Sequence, residues 1–155
     1  ALRRPGGPET AERRLREGGN HRSDEDLYMN GAEVFAFTLR AVPGLIQRTL
    51  ANANWTADTV DFFLFHQANA MMLKHLGKKL GVPDAKMPLS LDKLGNTSGA
   101  SIPLTMSLRL GSELAGAARR MLMVGFGVGF SWGAAAVESG GMAMPEVVLV
   151  GEPRS

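Results

Sequence analysis

The sequence predicts an α/β fold, and three features carry that expectation. A buried-strand run, "VDFFLF" at 60–65, passes directly into the amphipathic stretch "ANAMMLKHLGKKLGV", and a strand turning straight into a helix is the unit that builds parallel sheets. The same order recurs in "MPLSL" followed by "ASIPLTMSLRLGSELA". Two further strand-like runs, "RMLMVGF" and "FSWGAAAVE", are separated by "GVG" and suggest a closing hairpin.

Taken in order, residues 1–26 carry six arginines and six acidic residues among Pro and Gly with little apolar periodicity, so a solvated loop or arm is expected. From Gly31 to about Ala53, Val34, Phe35, Leu39, Val42, Ile46 and Leu50 recur at three- and four-residue spacings. That is one amphipathic helix, with Pro43 and Gly44 placed to kink or divide it. Thr56 or Asp58 is positioned to cap a short turn before the 60–65 strand. In the following helix Met71, Met72, Leu76 and Leu80 alternate with lysines, giving one buried face. "MPLSL" reads as a short strand, "DKLGNTSG" as a turn-forming loop, and the next helix takes Pro103 in its first turn. Gly140 and Gly141 end the pattern, and "EVVLV" adds one more strand-like run in a tail from 140 to 155. The central domain is therefore expected over 27–139.

A chain of 155 residues with 45% hydrophobic content buries one core. Seventeen Lys and Arg against fifteen Asp and Glu leave a formal +2, which gives little support to nucleic-acid binding. Zero cysteines exclude disulfides, thiolate metal sites and a cysteine nucleophile within this sequence. No stretch reaches the roughly 18 uninterrupted apolar residues of a membrane span, and "ALRRPGGPET" lacks the apolar core of a signal peptide. A cytoplasmic location is the default expectation. The sequence begins at Ala1, in keeping with a processed chain or a fragment.

Ligands of open α/β sheets bind beyond the carboxyl ends of the strands. His66 follows the 60–65 strand, Asn96 lies in the loop after the next expected strand, and Gly127-Val128-Gly129 follows the third. An imidazole, an amide and a run of close-approach backbone N–H groups form a kit for stabilising a developing oxyanion or enolate. Singly, each has a structural reading: a packed histidine, a turn asparagine, a glycine hinge. The glycine break precedes a strand, so it does not fit a phosphate loop, which opens a helix.

Together, "HQAN", "LGNTSGASIP" and "GFGVGFSWGAAAVE", with "MNGAEVF" at 29–35, resemble the second half of the β-ketoacyl-acyl carrier protein synthase III family, condensing enzymes of the thiolase superfamily. The resemblance spans roughly residues 27–138. It implies the C-terminal half of a layered αβαβα fold, with a mixed sheet and helices on both faces. It also implies a decarboxylative condensation of an acyl-CoA primer with malonyl-acyl carrier protein, on a cysteine in the absent first half. Carried over by motif, His66 and Asn96 donate hydrogen bonds to the malonyl thioester oxygen, and the backbone N–H of Val128 joins an oxyanion hole. Phe126 and Phe130 shape the acyl end of the pocket, hydrophobic packing being the other reading of Phe130. Gly31 and Ala68 lie beside the pantetheine arm.

Some positions depart from the family. Gly31-Ala32 stands where a glycine-asparagine pair is common, and Met71 where some members place an arginine for the acidic carrier protein. Lys74, Lys78 and Lys79 offer a substitute basic patch, although a solvated helix face accounts for them equally. Ser98 and Ser101 sit in a helix-start sequence where capping explains a hydroxyl, so neither is expected to be a nucleophile. The enzyme is thus expected to need an N-terminal half bearing the cysteine, to act with an acyl carrier protein as a homodimer, and to use no metal or cofactor. This chain alone is expected to be silent. A non-catalytic module binding an acyl-pantetheine or a partner is the alternative.

Overall fold

The computed structural model describes residues 14, 15, 19, 21–23, 30–127 and 129–148. Within the stretch expected to be a loop or arm, β1 (Arg14–Leu15) and β2 (His21–Arg22) pair antiparallel. The main body comprises α1 (Gly31–Asn52), β3 (Phe62–Phe65), α2 (Ala70–Leu80), α3 (Leu91–Leu94), α4 (Ser101–Gly116), β4 (Arg119–Gly127) and β5 (Ser131–Ser139). β3 and β4 are parallel, and β4 and β5 form the expected antiparallel hairpin with Phe126 opposite Trp132. The α/β class and the mixed sheet hold.

Alternation along the strands divides the core between the two faces of this sheet. Phe63 and Phe65 of β3 join Leu122, Val124 and Phe126 of β4 on one face, against Val42, Ile46 and Leu50 of α1 and Leu73 and Leu76 of α2. Leu64 and Met121 point the other way, against Met106, Leu110 and Leu114 of α4. Helices thus cover both faces. Each fully buried aliphatic here contributes roughly 1.5 to 3 kcal/mol relative to exposure.

Pro43 does not divide α1, which runs unbroken through it. The ring removes the N–H that would serve the carbonyl of Leu39, and Lys79 Nζ donates to that carbonyl at 2.7 Å instead. Asn30 caps the start of α1 through the N–H of Glu33, and Asn69 caps α2 through the N–H groups of Met71 and Met72.

Three expectations are corrected. "MPLSL" is not a strand: Pro88 has no N–H to give, and its neighbours are satisfied by side chains, Leu89 O by Arg109 Nε and Ser90 N–H by Gln67 Oε1. Asn96 therefore follows the short helix α3 rather than a strand. Met71 is 59% exposed, and Leu73 takes its place on the buried face of α2, because that face lies along Met72, Leu73, Leu76 and Gly77. Glu146–Val148 are not a strand either, having no ladder partner among the described residues, while Leu149 and Val150 lie outside those residues. The tail instead returns along α4: Met142 N–H donates to Leu114 O at 2.8 Å, serving a carbonyl near the helix end. Among the described residues no helix is long and apolar enough to cross a membrane.

Candidate active site

Because β3 and β4 are parallel, their carboxyl ends open on one edge of the sheet, and a cavity of about 710 Å³ lies there. His66, Ala68, Asn69, Asn96, Gly31 and Phe126 are among its lining residues. The first residue after β3, the loop after α3, the start of α1 and the end of β4 therefore meet at one place.

His66 is half-buried. Its backbone continues the parallel ladder, donating to Val124 O at 2.8 Å, so the strand fixes where the ring starts. Phe126 stands edge-on to the imidazole at 5.7 Å. Nδ1 lies 2.8 Å from the hydroxyl of Ser101. Burial pulls the imidazole below its ordinary pKa of 6.5, with the backbone of Ser98 pulling the opposite way. The neutral ring is thus the form present at neutral pH.

Behind this ring sits a buried polar network. The N–H of Gln67 donates to Ser101 Oγ, its side-chain amide donates to Phe65 O at 2.9 Å, and its Oε1 accepts from Ser90 N–H at 2.9 Å. Ser90 Oγ lies 2.6 Å from Thr105 Oγ1, whose hydroxyl donates to Ser101 O at 2.7 Å. All four residues are at most 2% exposed. Ser101 therefore does not serve as the cap its sequence context suggests: Ala100 holds that position of α4 without a side-chain bond, and the Ser101 hydroxyl turns inward to the histidine and Gln67 N–H. Gln67, Ser90 and Thr105 are functional positions that the sequence motifs do not single out. The available signal was three polar residues on otherwise apolar faces.

Asn96 is placed differently. Gly95, at φ +64° and ψ −157°, takes a conformation open essentially to glycine and turns the chain out of α3. Asn96 is exposed, and its Oδ1 accepts from Ser98 N–H at 2.9 Å. Ser98 itself has φ +54°, an uncommon left-handed value for a residue with a side chain. With Oδ1 committed, the Nδ2 hydrogens of Asn96 are the donors left to the cavity.

Of the other sequence-selected residues, Gly31, Ala68 and Phe126 line this cavity. Phe130 does not; it stacks on Phe37 at 4.4 Å and is 44% exposed. Val128 lies outside the described residues. Lys74, Lys78 and Lys79 are exposed on α2, away from the cavity lining, and Lys79 is held by Leu39 O.

Residues 50–139 match the family model of the 3-oxoacyl-[acyl-carrier-protein (ACP)] synthase III C terminal. The chain is 41% identical over 114 residues to a β-ketoacyl-[acyl-carrier-protein] synthase III of Staphylococcus saprophyticus, covering 74% of this chain and 36% of that protein. Its fold superposes on a crystal structure of a 3-oxoacyl-(acyl-carrier protein) synthase from Burkholderia xenovorans with a TM-score of 0.76 and 48% identity, covering 80% of this chain and 36% of the other. A 3-oxoacyl-(acyl-carrier-protein) synthase III structure matches with a TM-score of 0.82 and 38% identity over 90% of this chain and 41% of that one. The chain thus spans a little over a third of the length of these relatives.

Proposed function

Since the chain belongs to the 3-oxoacyl-[acyl-carrier-protein] synthase III family as a C-terminal portion of it, we propose that it supplies the decarboxylation half of a condensing enzyme's active site. Acyl-CoA first acylates a cysteine outside this chain and releases CoA. Malonyl-acyl carrier protein then loses carbon dioxide; the electron pair of the broken carbon–carbon bond forms an enolate with its charge on the thioester oxygen. The enolate carbon attacks the acyl-cysteine carbonyl, and the thiolate leaves. His66 Nε2–H and Asn96 Nδ2–H donate to the thioester oxygen as it becomes negative, where fixed donors count most.

Two features support this reading: both side chains line one cavity, and each already has its other heteroatom committed, to Ser101 and to Ser98 N–H. A neutral imidazole is needed for this role, and burial favours it. Gly31 and Ala68, which line the same cavity, leave room for a pantetheine arm. The backbone of Val128 completes an oxyanion hole for acylation, with Phe126 toward the acyl group, while Phe130, stacked on Phe37 outside the cavity lining, takes the packing role. Lys74 and Lys78 face an acidic carrier protein, with Lys79 contributing alongside its bond to Leu39. The complete enzyme is a cytoplasmic homodimer with no metal or cofactor, and this chain alone, having no cysteine, turns nothing over.

The test uses the full-length enzyme with its cysteine-bearing portion. Carbon dioxide release from malonyl-acyl carrier protein and acyl transfer from acyl-CoA to the cysteine are measured separately. His66→Ala and Asn96→Ala are expected to suppress the first and spare the second. Equal loss of both steps overturns the assigned roles.

A further inference from the structure

Resting on the reading of His66 as an enolate donor, we propose that Ser101 is a positioning residue that holds His66 in its Nε2–H tautomer. Thr105 spends its hydrogen on the carbonyl of Ser101, which can only accept. Ser90 must then donate to Thr105 across their 2.6 Å contact. The Ser101 hydroxyl already accepts from Gln67 N–H at 3.2 Å. Among the described contacts, the one acceptor within reach of its own hydrogen is His66 Nδ1, at 2.8 Å.

The opposite assignment is unfavourable. If Nδ1 carried the proton, two N–H groups would converge on Ser101 Oγ, and the hydroxyl hydrogen would be stranded in a site 2% exposed. A buried donor without an acceptor costs free energy. With Nδ1 bare and accepting, the neutral ring carries its proton on Nε2, the nitrogen that must donate to the enolate. Of this network only Gln67 N–H touches the Ser101 hydroxyl; Thr105, itself bonded to Ser90, holds the Ser101 backbone carbonyl and leaves the rotor to Gln67 and His66.

A hydroxyl donating to an imidazole is also how a serine nucleophile meets its base. Ser101 does not fit that role. Although it borders the cavity, the residue is 2% exposed and its oxygen already accepts from Gln67 N–H, while its hydrogen is directed at a histidine whose other nitrogen faces the thioester.

The experiment uses the full-length enzyme labelled with ¹⁵N-histidine. At neutral pH the ring ¹⁵N shifts of His66, assigned by loss of the signals in His66→Gln, distinguish a bare from a protonated nitrogen. In the parent enzyme Nδ1 is expected to be bare and Nε2 protonated. Ser101→Ala should mix the two tautomers and slow malonyl decarboxylation about fivefold to tenfold, as loss of one neutral orienting bond does. Ser101→Cys, somewhat larger and a much weaker donor, repeats the test without opening a cavity. Ser101→Thr, which retains the hydroxyl, should restore the Nε2–H signal. Thr105→Val should lower the melting temperature while leaving the tautomer in place. Unchanged ring shifts in both Ser101→Ala and Ser101→Cys overturn the proposal, as does an acyl adduct on Ser101 by mass spectrometry. If His66→Ala keeps full decarboxylation, the enolate-donor reading fails, and the ring shifts still decide the role of Ser101.

Discussion

His66 and Asn96 line the same cavity, yet the protein secures them by different means. Four side chains, all at most 2% exposed, stand behind the imidazole: Gln67, Ser90, Ser101 and Thr105. Asn96 sits on an exposed loop and, among the described residues, has one side-chain bond, to the N–H of Ser98. The difference follows from the chemistry of the two groups. An imidazole must be fixed in charge, in tautomer and in direction, which takes burial, a committed Nδ1 and a strand. A carboxamide has no charge to lose in this range, and a single acceptor contact settles which way round it points.

The largest expected effects are on rate, and there the two residues should look alike. Removing one preorganised donor to an oxyanion costs about 10²- to 10³-fold. His66→Ala and Asn96→Ala are therefore each expected to lower carbon dioxide release from malonyl-acyl carrier protein by that order. A tenfold or smaller effect at Asn96 alongside a full loss at His66 would break the symmetry and make the amide an accessory.

The contrast should emerge in stability. Gln67→Leu removes the partners of two groups, Phe65 O and Ser90 N–H, in a fully buried place. An unsatisfied buried group costs about 1 to 3 kcal/mol, so unfolding of the full-length enzyme should show a loss of roughly 2 to 4 kcal/mol. A neutral result would mean that water or a rearranged backbone replaces the amide, and that the network is not what holds His66.

The same contrast governs what was legible in the sequence. The buried-strand runs "VDFFLF" at 60–65 and "RMLMVGF" at 120–126 identified β3 (Phe62–Phe65) and β4 (Arg119–Gly127), because strands buried on both faces carry continuous apolar residues. His66 was visible as a polar break at the end of such a run. "MPLSL" misled because its alternation comes from packing while its backbone is satisfied by Arg109 and Gln67, side chains 20 and 23 residues away in sequence. Ser101 was misread for the same reason: its partner His66 lies 35 residues earlier, and a hydroxyl beside a helix start fits a local cap equally well. Met71 and Leu73 exchange roles because helical spacing identifies a face only to within about one residue. Gly95 and its positive φ placed Asn96 in a turn, but no local pattern carries the shared cavity.

A pH profile sharpens the distinction, since only one of the two donors titrates. Burial, the leading cause, lowers the His66 pKa below 6.5. Below that value the unfolded chain binds the proton more readily than the folded one. The contribution of His66 to stability is thus complete above pH 6.5 and is lost as pH falls through the folded pKa. Activity follows the neutral ring, so the acid limb of decarboxylation should lie below pH 6.5. His66→Gln should remove that limb from whatever activity persists, while Asn96→Ala should lower the whole profile without moving it. An acid limb above pH 6.5 in the parent enzyme would place the titrating group elsewhere.

Asn96→Asp should have the smallest effect on stability, and it separates what anchors this residue from what it gives to substrate. Aspartate keeps an oxygen for the N–H of Ser98, so the turn from Gly95 to Ser98 stays closed and stability should change by less than about 0.5 kcal/mol, as for most exposed substitutions. The remaining donor, however, becomes a second carboxylate oxygen, which repels the negative charge growing on the thioester. Decarboxylation should therefore fall at least as far as in Asn96→Ala, with the melting temperature unmoved. No comparable single-atom exchange exists at His66, where direction, tautomer and fold are secured by the same buried bonds. If Asn96→Asp instead unfolds the loop or retains activity, the amide is serving the turn rather than the substrate.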